Sequence, residues 1–504
     1  MKKILFAAIV LAPLFLSAQK KDVQVKYANT ITPADLKNLL YTIAGPEMEG
    51  RGTATPGLVK AANYIADKFK SFGLQPNNSG TYFYNYPLYK DSVTENIFEL
   101  NGEALVPATD FTIGQSANFS FTMGYSSFIF LGAMVDTTVN LDKLGLRGKC
   151  AVISDSYYQN GKEVIISNAA IMQKAGQLQA KGVATIIVIS SKLPKAQQGG
   201  RGFLRVNKYG SSISMPVYYI SYAAANKLMN DSLQSYLNKM ASGTLKTKNM
   251  KADIGLRYSR VQTETPSINV AAVIEGTDKK DEWVIITAHM DHLGKRDTVI
   301  YYGADDDGSG SCAVMEIAEA FAMAKKDGKG PRRSMLFMTV SGEEMGLLGS
   351  EAYTKKPIYP LKKASVDLNI DMIGRIDNDY LKKADSSNYV YIIGDDKLSS
   401  DLFPITEQAN KYVKLNLDRR YNDVNDPNRF YFRSDHYNFA DKGVPIIFYF
   451  NGVHKDYHRP TDTPDKISYE LYAKRARLVF YTAWEMANRE EMLKRDIPLP
   501  ELSR

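Results

Sequence analysis

The chain has 504 residues, 44% of them apolar and 23% charged, a composition that excludes a disordered tail or a membrane bundle and calls for two domains or more. Its 63 basic against 55 acidic residues leave a formal charge of +8, but no basic cluster interleaves with aromatics, so nucleic-acid binding has no support. Residues 1–18 read as a secretory signal: Lys2 and Lys3 precede an apolar run from Ile4 to Leu16, and Ser17-Ala18 supply a small-residue exit. The run is shorter than the roughly 20 residues a spanning helix needs. The mature protein is therefore expected to be exported, periplasmic or secreted, with no membrane span after signal removal. Export permits disulfides, yet Cys150 lies in an apparent strand and Cys312 in an apolar helical pattern far from it. Two buried free thiols are expected.

From Thr32 to Gly73 the spacing of apolar residues predicts two helices, DLKNLLYTIAG and LVKAANYIADKFKSFG, with Gly73 as the cap of the second. The loop EMEGRGTATPG joins them. After about Ala117 the texture changes to short apolar runs, SSFIFLG, KCAVISD, ATIIVIS and MPVYYIS, broken by one helix, NAAIMQKAGQLQAKG, and by a glycine-rich loop at 195–212. This predicts a mainly β module at 118–260, inserted into a domain made of 19–117 and 261–504. From about Ser267 strands (WVIITAHM, SMLFMTVSGE, VDLNIDMIG, VPIIFYF) alternate with helices (SGSCAVMEIAEAFAMAKK, YELYAKRARLVFYTAWEMANREEMLKR). That alternation predicts an α/β fold with a mostly parallel sheet flanked by helices.

Polar strings sit at the ends of these strands, where open α/β sheets place their ligands. ITAHMDH (286–292), GADDDGSG (303–310), SGEEMG (341–346), NIDMIG (369–374) and DYHRPTDT (456–463) together hold His289, Asp291, Asp306, Glu343, Glu344, Asp371 and His458. Each alone has a plain explanation as a turn, a cap or solvated charge. Collected at strand ends, so many acids are costly to bury unless a cation compensates them. No GxSxG elbow stands in a strand–turn–helix context, so serine chemistry has no support.

These strings resemble those of the co-catalytic di-zinc aminopeptidase and glutamate carboxypeptidase family, and the resemblance covers nearly all of the mature chain. The insert resembles a protease-associated domain through GKCAVISDS, the NAAIMQKAGQLQAKGVATIIVIS unit and MPVYYIS, and is expected to restrict access to the cleft. The resemblance implies two Zn²⁺, with His289, Asp306, Glu344, Asp371 and His458 as metal ligands and Asp306 as the bridge. Asp291 is then the partner of His289, Glu343 the general base, and Tyr457 a hydroxyl near the developing oxyanion. A cis peptide between Asp306 and Asp307 is a further expectation. His436 and His454 read as supporting or substrate-lining residues rather than ligands, His292 as a structural residue, and Asp435 as an outer carboxylate.

Two metals about 3.5–4 Å apart can hold a hydroxide between them and polarise a carbonyl, so the implied activity is an exported, zinc-dependent aminopeptidase acting on peptides through a metal-bridging hydroxide. Three alternatives stay open. A glutamate-carboxypeptidase-like or dipeptidase activity would need arginines at the cleft, for which Arg375, Arg433 and Arg459 are available. A receptor-like binding module would keep the fold without catalysis, and glutaminyl cyclisation would favour a single zinc.

Overall fold

In this computed structural model the described residues are 23–77, 79–115, 117–134, 140–160, 162–193, 204–208, 215–241 and 247–500. The signal segment and most of the 195–212 loop lie outside them. The chain forms two compact units, residues 1–87 with 266–504, and residues 88–265. No helix among the described residues is long and apolar enough to cross a membrane.

After a short helix, Val23–Ala28, the larger unit forms helices α1 (Pro33–Ile43) and α2 (Pro56–Ser71). Thr32 caps α1 by accepting the Asp35 N–H at 3.1 Å, ahead of a proline in the first turn. Gly73, at φ +82°, ends α2 as expected. The Leu74 N–H reaches the Phe69 carbonyl and the Gly73 N–H the Lys70 carbonyl, both at 3.0 Å, which closes the helix with two of its otherwise orphaned acceptors.

The sheet of this unit uses β1 (Lys248–Ile274, through its last residues), β2 (Lys279–His289), β3 (Arg333–Val340), β4 (Ala364–Ile370), β5 (Tyr389–Ile393), β6 (Asn416–Asp418) and β7 (Ile446–Phe450). Their spatial order is β6-β5-β7-β4-β2-β3-β1. The central four, β7, β4, β2 and β3, are mutually parallel, while β1 and β5 join antiparallel. Every residue of β3, β4 and β7 is buried, the continuous apolar reading of strands covered on both faces. Alternation sorts them: Val284 and Ile286 enter one core with Leu36, Phe69, Phe321 and Phe480, whereas Ile285 enters a second with Tyr353, Phe439 and Phe448. The first core is closed by α1, α2, α3 (Gly310–Lys326) and α4 (Tyr469–Asn488).

Helix α4 stops at Asn488, short of the REEMLKR segment that its sequence pattern includes. Buried Arg333 explains the stop. Its guanidinium donates to the carbonyls of Met486, Arg489 and Glu490 at 3.1, 2.6 and 3.0 Å, taking acceptors a further turn would need.

Glu316 on α3 is 3% exposed. Burial, with repulsion from Glu319 and Asp35, pushes its carboxyl up to about 8 from an ordinary 4.5. Between those values the folded chain holds a proton that the unfolded chain releases, so this group's contribution is complete below about pH 4.5 and is lost as pH rises towards 8. Glu316→Gln should therefore stabilise the protein relative to wild type more at pH 8 than at pH 5, as urea midpoints at the two values will show.

The smaller unit has its own sheet. Strands Phe121–Phe130, Cys150–Ser154, Thr185–Ile189 and Val217–Ile220 run parallel in that order, flanked by antiparallel partners at Lys248–Tyr258 and Phe111–Gln115. Helix Asn168–Ala180 links the second to the third. The unit begins at Leu88, ahead of the change of texture near Ala117, because Phe98, Leu100, Leu105 and Phe111 already pack into its core. Cys150 and Cys312 are buried free thiols, one in each unit.

Candidate active site

Strand β2 ends on His289, and the chain turns so that His289 Nδ1 lies 3.0 Å from the Asp291 carbonyl and 3.7 Å from its carboxylate. Asp291 is fixed in turn by the Thr53 hydroxyl at 2.7 Å and by the Glu343 N–H at 3.2 Å. Thr53 belongs to the EMEGRGTATPG loop, which gives that loop a place in the site.

Three aspartates in a row, Asp305 to Asp307, do three different things. The peptide between Asp306 and Asp307 is cis, as expected. Asp307 accepts the N–H groups of His289, Gly310 and Met372 at 3.2, 2.7 and 3.0 Å, so its carboxylate is spent on the backbone. Asp305 accepts the Ser309 hydroxyl and the Gly374 N–H. Asp306 faces the cluster, 3.3 Å from His289 Nε2 and 3.1 Å from His458 Nε2. It stands between two groups. On one side Asp371 and Glu343 approach His289 Nε2 at 3.5 and 3.9 Å. On the other, Glu344 lies 3.1 Å from His458 Nε2. All five expected ligands and the expected base therefore converge, with Asp306 in the shared position.

Tyr457 stacks on the His458 ring, centroids 3.8 Å apart, with its hydroxyl 3.4 Å from the Arg433 guanidinium. Burial, reinforced by Asp306 and Glu344, pushes its phenol up, so it stays a donor. Burial also pushes the Glu343 carboxyl well up, opposed by His289 and helped by Asp371 and Glu344. The cleft over these groups has a carboxylate floor of Asp306, Glu343 and Asp371 and apolar walls that include Phe430, Phe448 and Phe450.

A model of peptidase family M28 matches residues 269–483. The five expected ligands, Glu343 and Tyr457 all fall inside the matched stretch. The chain is 29% identical over 241 residues to a protein named "Probable leucine aminopeptidase" from Arthroderma otae, covering 46% of this chain and 61% of that one. It is 24% identical over 352 residues to aminopeptidase YwaD of Bacillus subtilis, 66% of this chain and 64% of the other. It thus spans less than two thirds of the length of these relatives. A shorter match, 39% over 111 residues, joins 22% of the chain to 14% of a "Probable glutamate carboxypeptidase" of Arthroderma benhamiae. Among solved structures, an aminopeptidase from Aneurinibacillus sp. strain AM-1 shares the fold with a TM-score of 0.53 at 19% identity, over 95% of this chain and 100% of that one.

The donors of the matched stretch suit a metal. His289 Nε2, Asp306 Oδ2, Glu344 Oε1 and both ring nitrogens of His292 are buried with no hydrogen-bond partner among the described residues. Histidine nitrogen and carboxylate oxygen without thiolate fit zinc. Stripping the metal with a chelator should lower Tm, and zinc should restore it. Free zinc at a thousand times the dissociation constant is worth about 4 kcal/mol.

His292 is a further candidate donor: its Nδ1 lies 2.7 Å from Glu344 and 3.6 Å from Asp306, and the three form one of two groups that could hold a metal. The other group combines His289 and Asp371 with Asp307, whose carboxylate the backbone already occupies. The His-x-x-His spacing of HMDH was the available signal. His454 does support: its Nε2 lies 3.2 Å from Asp305. Asp462, in the same network, accepts the N–H groups of Asp305 and Asp306 at 2.9 and 3.2 Å. His436 is a core residue, bonded to the Tyr431 carbonyl and stacked on Phe448, and burial holds it neutral with a pKa lowered to about 3. Asp435 accepts the Ser350 hydroxyl, behind the cluster.

Proposed function

We propose that the chain is an exported aminopeptidase that takes two Zn²⁺ and removes single residues from the free amino terminus of peptides. One observation carries this reading: Asp306 is shared between a His289–Asp371 group and a His458–Glu344 group, while Glu343 stands beside the first, 3.9 Å from His289 Nε2. When bound, the ions supply Lewis acidity and lower the pKa of water.

The side chains supply the rest. Glu343 accepts a proton from the attacking water and returns it to the leaving amine. Tyr457 donates its hydroxyl to the developing oxyanion. The apolar walls of the cleft, Phe430, Phe448 and Phe450 among them, receive the first side chain. Export is carried by the basic start and apolar run of residues 1–18, and sequencing the amino terminus of the exported protein tests it.

A carboxypeptidase acting on acidic peptides has one observation in its favour, Arg433 on the cleft wall. Arg375 is already paired with Asp456 at 2.9 Å and Asp462 at 3.6 Å, and Arg459 is exposed outside that lining. Hydrolysis of aminoacyl-anilides, matched amino-blocked peptides and acidic dipeptides decides. Cleavage confined to free-amino substrates is expected. Turnover of blocked peptides with acidic carboxyl ends would transfer the assignment, and binding of two zincs without any turnover would leave a binding module.

A further inference from the structure

The smaller unit contains a cavity of about 340 Å³ that peptide hydrolysis does not use. It opens where its parallel strands end, the position at which α/β sheets hold ligands. Asp155 directly follows strand Cys150–Ser154, and Ser190 directly follows Thr185–Ile189. The backbone of Asp155 is clamped, its N–H on the Ile189 carbonyl at 2.9 Å and its carbonyl on the Ile166 N–H at 2.7 Å. Its side chain is 3% exposed. Oδ2 accepts the Ser190 hydroxyl at 2.6 Å, and that hydroxyl accepts the Lys192 N–H at 3.2 Å. Oδ1 is buried with no hydrogen-bond partner among the described residues, the rim residue Lys192 included. One side of the lining is apolar, with Ile113, Ile166, Ile171 and the Tyr219 ring, whose hydroxyl is tied to Asn168, itself in the lining, at 2.7 Å.

We propose that this cavity binds an alkylammonium group. A buried carboxylate oxygen without a donor is costly, and an ammonium supplies both the missing hydrogen bond and the opposite charge. The apolar wall fits the aliphatic stem that carries such a head, and the volume is of ligand-pocket size. The donors do not make a metal site, since Asp155 belongs to no group of three or more His, Cys, Asp or Glu among the described residues. A lysine side chain on a peptide and a free aliphatic amine share this chemistry. The proposal is independent of the activity assigned to the matched stretch.

Calorimetric titration of the full chain tests it with three probes: N-acetyl-lysine methylamide, n-pentylamine and N-acetyl-norleucine methylamide. The lysine derivative should saturate a single site, the norleucine derivative should not bind, and Asp155→Asn should weaken the lysine derivative at least tenfold. Binding of n-pentylamine as well assigns the pocket to the alkylammonium head alone, and its failure assigns it to peptidyl lysine. Thr112→Trp, on the partly exposed rim, should block the cavity and serves if Asp155→Asn does not fold. Equal binding of lysine and norleucine derivatives would overturn the proposal. So would binding that survives both variants, or binding abolished by Glu343→Ala, which would place the ligand at the metal centre.

Discussion

Glu343→Gln is expected to reduce kcat by about 10²–10⁴-fold, the range supplied by a positioned general base, while the protein keeps its zinc and its fold. The geometry dictates this split. Glu343 approaches His289 only to 3.9 Å, whereas Asp306 and Asp371 lie at 3.3 and 3.5 Å, so the metal donors survive the change. An amide of the same shape preserves the Glu343 N–H bond to Asp291 and cannot carry the proton. Metal analysis beside steady-state rates checks the claim. A variant that loses zinc in proportion to activity would make Glu343 a ligand.

Arg51→Met should cost several kcal/mol, because buried carbonyls left without a donor cost about 1–3 kcal/mol each. Arg51 is wholly buried, and its guanidinium donates to four carbonyls: Met290 at 2.7 Å, Ile43 at 2.8 Å, Tyr302 at 2.7 Å and Gly303 at 2.8 Å. One side chain thus joins the end of α1, the exit of β2 and the approach to Asp306. Lysine cannot replace the fork, so Arg51→Lys should recover little of the loss. Urea denaturation measures both variants. The loop that carries Arg51 also carries Thr53 on Asp291, and zinc affinity should weaken with stability.

Much of this was legible in the sequence because two-sided burial writes strands as unbroken apolar runs. VIITA, LFMTV, VDLNI and IIFYF all became neighbours in one parallel array. The polar residues just after each run could then go nowhere but the shared end of the sheet. Asp305, Asp306 and Asp307 are alike as letters, and only the family pattern singled out Asp306. What separates them physically is where backbone N–H groups point, which is a tertiary fact. His292 was hidden for a similar reason: a buried histidine in a turn reads the same whether it faces a carbonyl or a carboxylate. The early end of α4 depended on Arg333, more than a hundred residues upstream and outside any local pattern.

The five expected metal donors are spread from His289 to His458, at or beyond the ends of four parallel strands. No contiguous stretch of the chain can assemble both groups, and the second one lacks His458 until four parallel strands are in register. Such long-range pairing is slow to form. Zinc uptake is therefore expected late in folding, since a chain whose His458 segment has not docked lacks the geometry to retain a metal in the second group.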